Sequence, residues 1–138
     1  MMKIRRHIEK DGLIVTQFGG VHTYKDALES LDELLALNKG SPAIYEIVVN
    51  DDTIELDFSR EEEKALSGKV KAVFSHFDAG ALAIVAKNDL VFGLSRMLQM
   101  SIDNERIAVA VFRSDLLARK WIDEIRKLHD ERLGEVPS

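Results

Sequence analysis

The stretch GALAIVAKNDLVFGLSRML, at residues 80–98, decides the fold of this chain. Between 81 and 86 the apolar side chains fall on both alternating faces, which is typical of a strand inside a sheet that is covered on both sides. Asn88 and Asp89 then offer side-chain oxygens that can cap the first free amides of a helix. A buried strand, a short polar turn and an amphipathic helix make half of a β-α-β unit, so the stretch predicts an open α/β sheet.

The helix that follows Asp89 has two faces with different expected roles. At roughly 100° per residue, the face expected in the core carries Leu90, Val91, Leu94, Met97, Leu98 and Ile102. The opposite side carries Phe92, Arg96, Gln99 and Met100, with Phe92 and Met100 flanking the Arg96 cation. Phe92, Arg96 and Met100 have two interpretations: scattered surface residues of the ordinary kind, or a docking patch for a protein partner or an apolar ligand.

Length and composition indicate one ordinary domain at 1–130, followed by a frayed tail at 131–138. The chain has 138 residues, of which 46% are hydrophobic and 31% are charged. A formal net charge of −5 argues against nucleic-acid binding, because phosphates require a clustered basic surface. The absence of cysteine excludes disulfides, zinc-thiolate sites and cysteine nucleophiles. No segment has the apolar length of a signal peptide or a membrane span, so we expect a cytoplasmic protein.

The patterns on either side of residues 80–98 complete the predicted order of elements. Asp11 and Gly12 separate two strand-like runs, which predicts an antiparallel hairpin with the first strand at the sheet edge. Thr23 and Ser59 have the capping-box spacing that begins a helix. The resulting order is β-β-α-β-α-β-α-β-α, with about five strands joined by right-handed crossovers after the hairpin.

Two further expectations concern the second strand and the last helix. Gly19 and Gly20 are expected to close the second strand. The last helix, which begins after Ser114, is expected to bury an apolar stripe made of Leu117, Trp121, Ile125 and Leu128.

Glu46 is an anomaly, because its carboxylate falls within an otherwise apolar strand. If Glu46 lies near the strand start, water reaches it and no special role follows. If it is buried, it needs a partner or a raised pKa and becomes a candidate functional group. An enzyme is the least favoured hypothesis, because it would need a carboxylate such as Glu46 to titrate far above its ordinary pKa. The four histidines lack the spacing of a helical metal pair, and we predict no catalytic residue, cofactor site or metal site.

Three runs of sequence resemble the SpoIIAA-like superfamily, which includes STAS domains and small bacterial STAS/SEC14-like proteins. The runs are GLIV at 12–15 with FG at 18–19, LAIVA at 82–86 with DLVFGLSRM at 89–97, and VAVFRSD at 109–115 with Ala118 and Trp121 after it. The resemblance spans 3–125. It implies an open mixed sheet with helices mainly on one face. It also implies a non-catalytic regulatory or binding domain that holds a protein partner or a small apolar or amphipathic ligand, in some members as a homodimer.

The resemblance also implies an alternative function, a phosphorylatable switch like that of the anti-sigma-factor antagonists. Those STAS domains carry their phosphorylated serine or threonine at the start of the second helix, in a run resembling Asp-Leu-Ser followed by Asp-Ser-Ser-Gly. Residues 57–59 (DFS) resemble the first half and residues 67–68 (SG) the end of the second. Ser59 and Ser67 are thus candidate phosphorylation sites. The glutamates at 61–63 would repel a phosphate, and Ser59 has a simpler interpretation as a helix cap.

Overall fold

The computed structural model describes the backbone of residues 2–134 and the side chains of residues 3–132. Strands and helices alternate along most of this range. The strands are β1 (Met2–Ile8), β2 (Ile14–Thr23), β3 (Ala43–Asn50), β4 (Glu55–Asp57), β5 (Ala79–Ala86) and β6 (Ile107–Phe112). The helices are α1 (Tyr24–Leu37), α2 (Arg60–Phe74), α3 (Asp89–Ile102) and α4 (Asp115–Gly134).

The sheet has the strand order β1-β2-β3-β5-β6, and the short β4 pairs with the end of β2. β1 is antiparallel to β2, whereas the other neighbours are parallel. The crossovers from β2 to β3, β3 to β5 and β5 to β6 all advance in one direction across the sheet. Since such crossovers are right-handed, α1, α2 and α3 lie on the same face. The predicted mixed sheet, with its antiparallel edge strand and helices mainly on one face, is confirmed.

The central strand β5 separates two cores of different character. On the face of α1–α3, Leu82 and Ile84 pack with large side chains from all three helices. On the opposite face, Ala81 and Ala83 pack against α4, where Ala118 is also fully buried. Small side chains on both partners allow the helix to approach the sheet closely. Both faces of this strand are therefore covered, as its sequence predicts.

The prediction that Gly19 and Gly20 close the second strand is wrong. β2 continues through both glycines to Thr23. Its pairing with β3 ends at Phe18, and its last three residues pair with β4 instead. Gly20 has a φ of 70°, a conformation that costs little only without a Cβ atom. This glycine lets the strand change direction between its two partners.

The predicted buried stripe of α4 is only partly correct. Leu117 and Leu128 are 55% and 56% exposed, and the side chains that face the sheet include Ala118, Ile122 and His129. The alanine-lined sheet face accepts a small residue where the pattern favours a large one. The helix also continues to Gly134, past the predicted start of the tail, because 131–133 contain no helix breaker. Residues 135–138 of the predicted tail lie outside the described residues.

Two glycine substitutions test this packing. A Cβ atom on Gly80 would lie 2.6 Å from the Ile44 carbonyl oxygen and 2.9 Å from Ile44 Cγ2 in the neighbouring strand. We expect Gly80→Ala to lower the free energy of unfolding by about 1–3 kcal/mol. Gly68→Ala, in the middle of α2 with open space around its Cβ position, should raise it by about 0.5–1 kcal/mol. Urea denaturation measures both changes, and equal effects of the same sign would contradict the strand packing.

Candidate functional site

A cavity of about 930 Å³ lies between the sheet and the helices α1, α2 and α3. Its walls are mostly apolar and include Leu34, Leu66, Phe74, Leu82, Ile84 and Leu98. Protein interiors leave few voids larger than a water molecule. Ligand pockets, by contrast, commonly span about 300–1,000 Å³. The cavity therefore has the size and lining of a ligand site.

The two halves of α2 have different roles around this cavity. In the C-terminal half, Val70, Val73 and Phe74 are buried in the core. The N-terminal half, from Arg60 to Ser67, lies over the cavity. The helix begins at Ser59 with the predicted capping box, in which Ser59 and Glu62 exchange hydrogen bonds through side chain and backbone. The amphipathic C-terminal half thus packs α2 onto the core, and the mainly polar N-terminal half covers the cavity.

The mouth of the cavity lies between α2 and α3. Among the lining residues, Arg60 and Lys64 of α2 and Met97 and Ser101 of α3 are exposed to solvent. Glu63 also lines this side and is half-buried. The rim therefore carries both charge signs on α2, and on α3 it has the apolar Met97 and the small polar Ser101.

A buried polar cluster lies on the side of the cavity beneath α1, where β1, β2 and β3 are neighbours. Arg6 donates from Nε to Thr16 Oγ1 at 3.0 Å and from a terminal nitrogen to Ser30 Oγ at 2.8 Å. Its other terminal nitrogen lies 3.3 Å from the Ser30 carbonyl oxygen, to which it donates. Thr16 Oγ1 in turn donates to Glu46 Oε2 at 2.8 Å. We call Arg6, Thr16, Ser30 and Glu46 the polar cluster; Arg6, Ser30 and Glu46 line the cavity.

The charges in the polar cluster are only loosely paired. The closest carboxylate oxygens lie 3.7 Å (Glu33) and 3.9 Å (Glu46) from the Arg6 guanidinium, beyond direct hydrogen-bond distance. Glu33 is largely exposed, whereas Arg6 and Glu46 are buried. Within the described side chains, Arg6 donates hydrogen bonds to neutral oxygens alone.

Glu46 is 3% exposed, so the interpretation that water reaches it near the strand start is wrong. Residue 46 lies in the middle of β3, where α1 and α2 cover the sheet. Burial raises the pKa of Glu46, and the Thr16 hydrogen bond and the Arg6 charge oppose that rise. The carboxyl group is therefore easier to protonate than one in water.

Aromatic side chains and His22 form another wall. The His22 ring contacts Phe18 and Phe58 edge-on, with centroid distances of 4.7 Å and 5.6 Å. All three line the cavity. Desolvation lowers the pKa of His22, and its buried Nδ1 has no hydrogen-bond partner among the described residues. The lowered pKa favours the uncharged His22 ring, so this part of the wall carries two aromatic rings and one neutral imidazole at neutral pH.

The prediction for the faces of α3 needs a correction. Val91 and Ile102 are buried as expected, but Leu90 and Met97 are 66% and 62% exposed. The small Ser95 is buried in their place. The helix is turned so that Leu94, Ser95 and Leu98 border the cavity, while Leu90 and Met97 remain exposed.

The predicted patch lies beside the cavity and contributes no lining residue. Phe92 is half-buried, and the Arg113 guanidinium carbon lies 4.1 Å from its ring centroid. Arg96 and Met100 are exposed on the same helix. The predicted phosphorylation sites are separate from each other: Ser59 caps α2, whereas Ser67 is half-buried and lines the cavity.

Sequence reasoning missed the cavity and most of its polar cluster. One signal was available: Arg6 has the same parity as Ile4 and Ile8 in β1, and Glu46 also falls on a buried strand face. Opposite charges on one covered sheet face predict a pair. The void beneath α2 depends on how three helices pack, and no local pattern encodes it.

Two classes of site find no support in the described part of the chain. Within residues 3–132, the side chains of histidine, aspartate and glutamate form no group of three or more that could hold a metal ion. None of the helices in the described range is both long enough and apolar enough to cross a membrane.

The fold has a counterpart among solved structures, an uncharacterised protein of the DUF3478 family with a SpoIIAA-like fold from Shewanella loihica PV-4. The match has a TM-score of 0.59 and covers 88% of this chain and 93% of that chain, at 16% sequence identity. The chain therefore has a SpoIIAA-like fold, as the sequence resemblance implies. No protein-family model matches the chain, and no curated protein matches it.

The buried carboxyl predicts a pH-dependent stability difference between the wild type and Glu46→Gln. Because the pKa of Glu46 is raised from 4.5, the folded state keeps a proton that the unfolded state loses above that pH. The stability that Glu46 contributes is fully present below pH 4.5 and is lost as the pH rises towards the raised pKa. In this window the unfolding free energy of the wild type should fall, relative to that of the Glu46→Gln variant, by about 1.4 kcal/mol per pH unit.

Urea denaturation of both proteins at a series of pH values measures this difference. Glu33→Gln is the matched control, because it removes the exposed carboxylate near Arg6. The control should show no comparable trend. A difference between the wild type and Glu46→Gln that stays constant with pH would contradict the burial of an ionisable group at this position.

Proposed function

We propose that this SpoIIAA-like domain is a non-catalytic binding module that holds a small amphipathic ligand between its sheet and helices α1–α3. The observation that carries the proposal is the cavity of about 930 Å³, with apolar walls and a buried polar cluster on one side. Burial of apolar ligand surface supplies binding energy of roughly 25 cal/mol per Å². The polar cluster supplies orientation, as the few polar groups of a ligand pocket usually do. From composition, we propose that it works in the cytoplasm.

A binding role accounts for the chemistry of the site better than catalysis does. Glu46 is the buried carboxylic acid of the polar cluster, and its hydrogen bond from Thr16 occupies one carboxylate oxygen. A general base needs a nucleophile or a water held in line with a substrate bond. The polar cluster is instead cross-linked to itself and to α1 through Arg6 and Ser30, which suits a fixed recognition surface.

The phosphorylatable switch has weaker support as a proposal. Ser59 Oγ already accepts a hydrogen bond from the Glu62 backbone amide at 3.1 Å. A phosphate there would lie among the glutamates of the first turn of α2 and would meet like charge. Ser67 faces the apolar cavity, where a dianion would be costly to bury.

A second candidate function is association with a protein partner or a second copy through α3. Leu90, Met97 and Met100 are 66%, 62% and 83% exposed on this helix. Exposed apolar side chains that share one helix face are typical of interaction surfaces. Arg96, which belongs to the predicted patch with Phe92 and Met100, adds a charge beside them.

A substitution that fills the cavity tests the binding module. Ser67→Phe places a large apolar side chain into the cavity from α2 and should reduce the binding of the neutral fluorophore N-phenyl-1-naphthylamine by about tenfold or more. Ala65→Phe is the matched control, since residue 65 is exposed on the same helix and does not line the cavity. Fluorescence titration measures both affinities. Equal binding by the wild type and both variants would contradict a ligand site in the cavity.

The surface of α3 is tested by paired substitutions. Leu90→Ser with Met100→Ser should weaken self-association or partner binding and change the unfolding free energy by less than about 0.5 kcal/mol, because both side chains are exposed. Phe92→Ser should lower stability by about 2–3 kcal/mol, because the ring packs against a buried cluster and Arg113. Sedimentation velocity and urea denaturation measure the two effects. An unchanged sedimentation profile in the double variant, where the wild type is associated, would contradict the proposal.

A further inference from the structure

We infer that the ligand is a single-chain amphiphile whose carboxylate binds Arg6 in the polar cluster while its alkyl chain runs beneath α2 towards the mouth. This inference rests on the proposed function, because it names the chemical class that the same cavity holds. Three observations carry it: the incomplete pairing of a buried arginine, the buried carboxyl group of Glu46 beside it, and the direction of the apolar walls from the polar cluster to the mouth.

The first observation concerns the charge of Arg6. Its side chain is 7% exposed, and its hydrogen bonds reach the neutral oxygens of Thr16 and Ser30. A guanidinium has five N–H groups, so the three donated hydrogen bonds leave two N–H groups for another acceptor. The carboxylates at 3.7 Å and 3.9 Å are too distant to take them directly. A buried cation is costly unless an anion is bound to it, and a ligand carboxylate matches the planar fork of arginine.

The second observation concerns Glu46, which faces the same space. A negative Glu46 would repel an incoming carboxylate, whereas a protonated Glu46 can donate a hydrogen bond to it. Burial already raises the pKa of Glu46, and a bound anion would raise it further. The charged side chains of the polar cluster that line the cavity are Arg6 from β1 and Glu46 from β3. The exposed Glu33 of α1 lies 3.7 Å from Arg6 and does not line the cavity. Arg6 and a protonated Glu46 both favour an anion.

The third observation concerns direction. The polar cluster lies on the side of β1, β2 and α1, whereas the mouth lies between α2 and α3. Between the two ends the walls are apolar, formed by Phe74, Leu82, Ile84 and Leu98. At the mouth, α3 contributes the exposed apolar side chain of Met97 beside the small Ser101. An amphiphile with its head group inside and its chain directed outward meets a matching surface along its whole length.

The first experiment tests which head group the protein prefers. Calorimetric titration of the wild-type protein with decanoate and with decanol, at neutral pH and below micelle formation, compares two ligands that share the same chain. We expect decanoate to bind about tenfold tighter or more, since hydrogen bonds to a charged group provide that preference. Decyltrimethylammonium, with the opposite charge, should bind more weakly than decanol.

Variants then locate the carboxylate. Arg6→Gln should abolish the preference for decanoate over decanol while the affinity for decanol stays within about threefold. Arg60→Gln with Lys64→Gln, which removes the exposed cations of the rim, is the matched control and should keep the preference. Loss of the preference in this control would overturn the inference by placing the head group at the mouth. The comparison within the wild type remains decisive if Arg6→Gln does not fold.

The outcomes separate the inference from the function on which it rests. Equal affinity of the wild type for decanoate and decanol would overturn the carboxylate head group and leave the binding module intact. Failure of all three amphiphiles to bind, together with failure of the neutral fluorophore, would overturn both.

Discussion

Right-handed crossovers between parallel strands determine where the helices of this domain lie and, through them, where its cavity forms. Each connection after β2 advances in the same direction across the sheet, so one face must carry three helices. α2, the middle helix, packs against α1 and α3, and Lys69 of α2 lies 3.3 Å from Asp32 of α1. Its apolar C-terminal half reaches the core, whereas its polar first half cannot fill the space below. The cavity forms because the crossover places α2 over the sheet, while the mainly polar side chains of its N-terminal half do not fill the space beneath it.

The polar cluster distinguishes this cavity from an ordinary packing defect, which is lined by apolar side chains alone. Replacing a buried pair of opposite charges with hydrophobic residues of similar volume often leaves a domain equally or more stable. The chain instead carries a buried cation and a carboxyl group with a raised pKa where β1 and β3 face α1. Their separation of 3.9 Å leaves donors for a third group. In the proposed function, a bound ligand offsets the cost of burying the Arg6 charge.

The sequence predicted those parts of the fold that depend on local patterns. The alternation at 81–86, the hairpin glycine at 12 and the caps at Thr23, Ser59 and Asn88 each appear where the pattern indicates. The predictions failed where packing against neighbouring elements determines which side chains are buried. α4 turns Ala118 and His129 inward because the opposing strands carry alanines, and Tyr45 Oη lies 2.8 Å from His129 Nδ1. The cavity could not be predicted because a void is set by the distance between helices. Glu46 was recognised as unusual, but its partner Arg6 lies far away in sequence, on an edge strand whose alternation is typical of a solvated face.

Non-denaturing mass spectrometry of the protein, purified gently from its native host, tests whether the domain carries a ligand. We expect a mass above that of the chain, with the excess lost on denaturation and identified as a small carboxylic amphiphile. A bare chain mass, alone or doubled, would contradict a carried ligand. An excess that survives denaturation as phosphate would contradict it as well, and would point to the serines of α2 as a switch.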